Sequence, residues 1–270
     1  MRFSRGARLG LAAMMTAGLA VIYVPLVVVV VSSFNVDRTF GWPPTALTLT
    51  WWSRAWDNAG AQAALRTSLK AGLGATALAV MLGALASFAV ARYHFFGREA
   101  VSVLLVLPLA LPGIVTGIAL SSAIQTTLRP FGINFGLFTV IVGHSTFCIV
   151  VVYNNVLARL RRTGGSLEEA SMDLGAGVWQ TFRLITLPAV RSALLAGGLL
   201  AFALSFDEII VTTFTAGPGV QTLPLWIYQN LARPNQAPIV NVVAALLIVG
   251  SLVPVWLAQR VSSDTAGGRL

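Results

Sequence analysis

The 270-residue sequence predicts an all-α integral membrane protein with six transmembrane helices and both termini on the cytoplasmic side. Three observations predict it. Hydrophobic residues make up 56% of the chain and charged residues only 10%, with a mean hydropathy of +0.81, whereas soluble domains carry about 25% charged residues. Six apolar runs reach about 20 residues, the length of helix that crosses a hydrocarbon core of about 30 Å. The arginines then decide the orientation. A cytoplasmic N-terminus puts Arg2, Arg5, Arg8, Arg92, Arg98, Arg159, Arg161, Arg162, Arg183, Arg191, Arg260 and Arg269 inside, twelve of the 18 Lys and Arg residues, as the positive-inside rule requires. The net charge of +9 therefore needs no nucleic acid to explain it, because the arginines are spread over loops and not gathered on one soluble face.

The first run, Leu9 to Val31, is too long for a cleaved signal peptide, and no small-x-small site follows it, so it is expected to stay as an anchor. Ser32 to Leu69 is the largest outside segment and holds Trp42, Trp51, Trp52 and Trp56. Tryptophans there either anchor a helix at the interface or form a mouth that contacts a substrate or a delivering protein, and Trp42, in Gly41-Trp42-Pro43-Pro44, is the candidate for the second role. The second run is Ala71 to Ala91. The third, Val101 to Ile124, contains Leu107-Pro108-Leu109-Ala110-Leu111-Pro112-Gly113 and must break or kink, since proline lacks an N–H and clashes with the preceding turn. Irregular backbone at that depth is tolerated only where protein buries it or a cavity runs beside it, which makes Pro112 and Gly113 pathway candidates.

The fourth run, Leu137 to Ala158, carries His144 beside Ser145 and Thr146, either a buried hydrogen-bonded histidine or a pathway group. Cys148, in the same run, is the only cysteine and has no disulfide partner within the chain. Asn154 and Asn155 suit interhelical bonding or the lining of an inner gate. The fifth and sixth runs are Ala193 to Thr213 and Ile239 to Ala258. The expected division is residues 1–64 for the first helix and aromatic segment, 65–260 for a five-helix core with a cytoplasmic loop at 159–192, and 261–270 for a short tail.

That loop is polar and helical. Ser166 and Glu169 have capping-box spacing, which predicts a helix from Leu167. Gly175-Ala176-Gly177 should stop it, Val178 to Ile185 should form a second short helix, and Pro188 should end that one.

The strongest site signal is Ser205-Phe206-Asp207-Glu208 inside the fifth run. An acid at the centre of a membrane helix costs about 2.5–3.5 kcal/mol on insertion scales, so two of them call for a cation, a base or a water-filled path. Counted from Ala193, Asp207 lies roughly 21 Å along the helix, in the outer half of the bilayer. Neighbouring residues point about 100° apart. Only one of the two can therefore face a central path; Asp207 is taken for a cationic substrate and Glu208 for a structural partner, and Phe206 either packs or stacks on an ammonium. Nucleotide chemistry is not expected in this chain. Its one lysine, Lys70, has no glycine-rich phosphate cradle before it, and no nucleophile elbow, zinc helix or C-x-x-C pair is present.

The loop spacing Glu169-Ala170-Ser171, then Gly175, then Ile185-Thr186-Leu187-Pro188, resembles the signature loop of the membrane subunits of binding-protein-dependent ABC importers, with Ser171 where those usually carry alanine. The resemblance implies the type I ABC importer permease fold in a bacterial inner membrane. It makes the loop a coupling helix that offers Glu168, Glu169, Ala170, Ser171, Asp173, Leu174, Gly175 and Ala176 to an ATPase. The segments Ser205 to Phe214, Gly217-Pro218 and Leu223 to Tyr228 are similar to the spermidine/putrescine branch. That branch implies a second homologous permease, an ATPase dimer holding ATP and Mg, a soluble binding protein that delivers the polyamine, and no cofactor or metal in this chain. Gly113 departs from the acid that spermidine-type members tend to carry there, and related permeases move aminophosphonates or amino acids. A carrier relaying ions through Asp207, Glu208 and His144 is the rival class, and it leaves the Glu169 to Pro188 loop unexplained.

Overall fold

The computed structural model describes residues 4–38, 41–233 and 235–251. Arg2, Arg260, Arg269, the sixth run beyond Ser251 and the tail 261–270 lie outside the described residues. The described chain is helical without a strand: α1 (Arg5–Ser32), α2 (Thr50–Trp56), α3 (Ala59–Arg92), α4 (Arg98–Ala110), α5 (Gly113–Ala123), α6 (Leu137–Thr163), α7 (Ser166–Asp173), α8 (Val178–Thr181), α9 (Leu187–Asp207), α10 (Ile210–Thr215), α11 (Leu223–Leu231) and α12 (Ala237–Ser251). Among the described residues four helical runs are long and apolar enough to cross a membrane: Arg5–Ser32, Ala59–Arg92, Leu137–Thr163 and Val178–Asp207. A fifth is added if Arg98–Ala110 and Gly113–Phe131 count as one broken span.

The chain forms two compact units, Met1–Gln62 with Ile227–Leu270, and Ala63–Trp226. In the first, α1 exposes apolar side chains such as Leu9, Met14, Val21 and Ile22 around its circumference. A helix that is apolar all round is made for hydrocarbon or for another membrane protein. The aromatic segment after it is held locally. The Asn35 side chain donates to the Gly41 carbonyl at 3.4 Å and accepts from the Asp37 N–H at 3.1 Å, and Phe34 stacks on Trp52. Trp51 is buried with Arg54 over its ring, whereas Trp42 is 62% exposed.

In the second unit α6 is the central helix. Val140, His144, Phe147, Cys148, Val152, Val156 and Leu160 are all buried, and the last five of these share one core with Ala79 of α3, Val190 and Ala201 of α9 and Val211 of α10. Lipid tails are as apolar as these side chains, so close packing and interhelical hydrogen bonds hold such helices together, not hydrophobicity. Tyr153 shows both. Its carbonyl accepts from the Ser87 hydroxyl of α3 at 3.0 Å, and its own hydroxyl meets Ser102 of α4 at 2.9 Å.

Three sequence expectations are corrected here. The fifth run is not one helix, because the chain unwinds at Glu208, whose ψ is 120°. Ser166 does not cap α7. Gly165 already carries turn dihedrals and takes the cap position, its carbonyl accepting from the Glu169 N–H at 2.9 Å, so the helix starts one residue early without a side-chain cap. Nor does Pro188 end a helix. The wider turn Phe182–Thr186 shifts the bonding register, the Leu187 N–H reaches back to Phe182, and Pro188 falls in the first turn of α9, where its missing N–H costs nothing.

Candidate functional site

Two broken helices meet in the second unit. Between α4 and α5 the helix axis bends by 110° at Leu111-Pro112. Between α9 and α10 the chain is extended at Glu208. The first turns of α5 and α10 lie together, so that a Cβ on Gly113 would sit 3.7 Å from Ile210. One turn further on, a Cβ on Gly117 would lie 2.5 Å from the Phe214 ring. Only a glycine lets these helices approach so closely. A half-open groove of about 310 Å³ continues beside them, lined by Ile118, Ser121, Ser122, Gln125, Thr126 and Phe214.

The two acids of the break have separate surroundings. Glu208 turns back on its own chain. Its Oε1 accepts from the Val211 N–H at 2.9 Å and its carbonyl accepts from the Thr212 hydroxyl at 2.8 Å. Its carboxylate thus satisfies one backbone donor that a new helix leaves open, and it meets no base from another helix among the described residues. Asp207 ends α9, is exposed, and has no hydrogen bond or ion pair among the described residues. Phe206 packs on Phe202, with ring centroids 5.8 Å apart.

His144 is fully buried between the two arms of the break. Its Nδ1 is 2.8 Å from the Ser205 hydroxyl on α9 and its Nε2 is 2.9 Å from the Thr212 hydroxyl on α10. Ser205 was part of the sequence motif; Thr212 was not singled out, and nothing local to it marks a partner 68 residues away. Asn154 and Asn155 belong to a different place, an open cavity of about 450 Å³ with Arg159, Arg162 and Ser192 at the far end of α6 and α9. Trp42 belongs to the first unit. Among the described residues no group of three His, Cys, Asp or Glu side chains is placed to hold a metal.

The polar loop is a separate site on the same unit. Glu168 is turned inward. Its two oxygens take the Nε and Nη2 edge of the Arg92 guanidinium, at 2.8 and 3.0 Å, and the carboxylate accepts from the Thr186 hydroxyl at 3.0 Å. Such forked charged pairs fix geometry as well as adding energy. Arg92 also donates to the Gly164 carbonyl at 2.7 Å, so α7 is tied to the end of α3. Ser171 bonds to Thr181 at 3.1 Å. The opposite side is free: Glu169, Ala170, Asp173, Leu174 and Gly175 are exposed and Ala176 is half-buried. Gly175 closes α7 with φ +89°, its N–H bonded to the Met172 carbonyl and the Ala176 N–H to that of Ser171, the paired bonds of a Schellman end. Leu174 is 90% exposed, and Val178 and Trp179 are exposed beside it in sequence. Apolar side chains displayed on a polar loop suit contact with a protein or a membrane surface.

The family of binding-protein-dependent transport system inner membrane components matches residues 75–266. The chain belongs to this family. Its members are transport subunits, and with four or more apolar spans this one is a multi-pass protein of the bacterial inner membrane. Similar proteins include the spermidine/putrescine transport system permease protein PotC of Escherichia coli (strain K12), 34% identical over 254 residues and 94% of each chain. The protein of that name from Haemophilus influenzae is 32% identical over 90% of this chain and 92% of its own. The putrescine transport system permease protein PotI of E. coli is 31% identical over 86% of this chain and 83% of its own. Among solved structures, a bacterial ABC transporter involved in the import of the acidic polysaccharide alginate superimposes with a TM-score of 0.70 over 98% of this chain and 99% of that one. At 15% identity that likeness establishes the fold of this permease.

Proposed function

We propose that this permease carries a polyamine such as putrescine or spermidine inward, as one subunit of an ATP-driven importer. The observation that carries the reading is Asp207, an exposed carboxylate with no partner in the described chain, at the end of a broken helix and beside a second broken helix. A polyammonium ion that sheds water inside a membrane needs counter-charge at that depth, and a half-helix C-terminus adds its own negative end. The relatives named for spermidine and putrescine transport support the same cargo.

Six crossings with the N-terminus inside place α7 in the cytoplasm. There Leu174, Val178 and Trp179 are the contact for an ATPase dimer that holds ATP and Mg. A second homologous permease completes the pathway and a soluble binding protein delivers cargo from outside, while lipid surrounds the apolar faces. The reading is tested by ATP-dependent uptake of labelled putrescine and spermidine into proteoliposomes holding the full transporter, with unlabelled 2-aminoethylphosphonate as competitor. Saturable polyamine uptake supports it. Competition by the aminophosphonate alone would favour the cargo named for a permease that is 29% identical. Leu174→Asp should release the ATPase in co-purification.

A further inference from the structure

We infer that His144 is the positioning residue of the pathway, a brace that holds the Asp207-Glu208 break open at one fixed geometry. The inference rests on the reading of that break as the cargo site. The bonding pattern requires a particular form of the ring. The Thr212 hydroxyl has one proton and donates it to the Glu208 carbonyl, which can only accept. Toward His144, Thr212 must therefore accept, so Nε2 carries the hydrogen. In the neutral ring Nδ1 is then the acceptor, and the Ser205 hydroxyl donates to it.

The chain of bonds runs from Ser205 through His144 to Thr212 and on to the Glu208 carbonyl. It begins two residues before Asp207 and ends on the residue after it. The ring itself belongs to α6, an unbroken helix packed on α9 and α10 through the buried core. Pro112 gives the other break a local cause. No proline or glycine lies between Ser205 and Thr215, so this break rests on the bonds of Glu208 to the start of α10 and on contact with another helix. A rigid imidazole with one donor and one acceptor, both engaged and shielded from water, is suited to that task.

The test reads the break and not the cargo. Cys148 is the chain's only cysteine and is buried, so in an Asp207→Cys variant the introduced thiol is the accessible one on this chain. Its labelling by a membrane-impermeant methanethiosulfonate is followed in the assembled transporter. Adding His144→Phe, which keeps a ring but loses both bonds, should change the labelling rate about fivefold or more, the scale expected from unmade buried hydrogen bonds. His144→Gln, with one donor and one acceptor, should bring the rate back to within about twofold. In the chain without the introduced thiol, His144→Phe should raise the half-saturating polyamine concentration at equal amounts of complex. An unchanged labelling rate in His144→Phe, or a Gln variant no better than Phe, overturns the inference. If His144→Phe does not assemble, Thr212→Val decides in the same way, a changed rate supporting the brace and an unchanged one overturning it. Normal uptake by Asp207→Asn together with a changed labelling rate would remove the cargo role of Asp207 and leave the brace standing.

Discussion

The break between α4 and α5 and the break between α9 and α10 lie against each other, yet only the first is built into the covalent backbone. Pro112 has no N–H to give and favours the extended backbone that Leu111 adopts, so the end of α4 has a local cause, although α1 and α4 run through Pro25 and Pro108. Between α9 and α10 every residue is able to continue a helix. That break exists because Glu208 spends its carboxylate and carbonyl on the start of α10, and because His144 bonds to both arms. A local cause sets one break, and bonds to another helix help to set the other. The second carries the free carboxylate.

The contrast can be broken most forcefully at the contact between the two. Gly117→Leu has no room against Phe214; overpacking of this kind costs about 1–3 kcal/mol or more, and the amount of folded protein in the membrane should fall about fivefold or more. Normal levels by quantitative immunoblot would show that the breaks do not depend on each other. Pro112→Ala comes next. A proline inside a helix costs about 3 kcal/mol, and its removal lets α4 and α5 straighten. Uptake per complex should drop severalfold while the amount of complex stays near normal, and unchanged uptake would mean that tertiary contacts hold this break as well. The smallest effect sharpens the role of Glu208. Glu208→Ala removes the acceptor for the Val211 N–H and should cost about 1 kcal/mol of stability, whereas Glu208→Gln keeps an acceptor and should cost less. Thermal stability of the detergent-solubilised complex separates the two, and equal losses would tie Glu208 to its charge and not to the cap.

The same contrast explains what was legible in the sequence. The long helices followed from runs of apolar residues, although α3 begins at Ala59, well before the Ala71 to Ala91 run, and the Pro112 break and the Gly175 stop followed from residue types whose backbone limits are intrinsic. The acid pair stood out because charge in an apolar run is costly. The break at that pair was not visible. Its cause includes hydroxyls 61 and 68 residues from His144, and no local pattern records such a distance. Glu168 failed to declare itself for the same reason. In sequence it belongs with the coupling residues, but in space Arg92, 76 residues away, claims its carboxylate. The Ser166 capping box was a correct pattern overtaken by its neighbour, since Gly165 had already begun the turn.

We propose contact between the free Asp207 carboxylate, at the break between α9 and α10, and a cationic cargo. Its most direct test is ATP-driven uptake of labelled spermidine by proteoliposomes containing the full transporter with Asp207→Asn, an amide of the same shape without the charge. Losing one desolvated charge contact is worth about 1.5–3 kcal/mol, so uptake at limiting spermidine should fall at least about tenfold, with the complex assembled at its normal level. Uptake equal to that of the unaltered transporter, at equal complex, would contradict the claim.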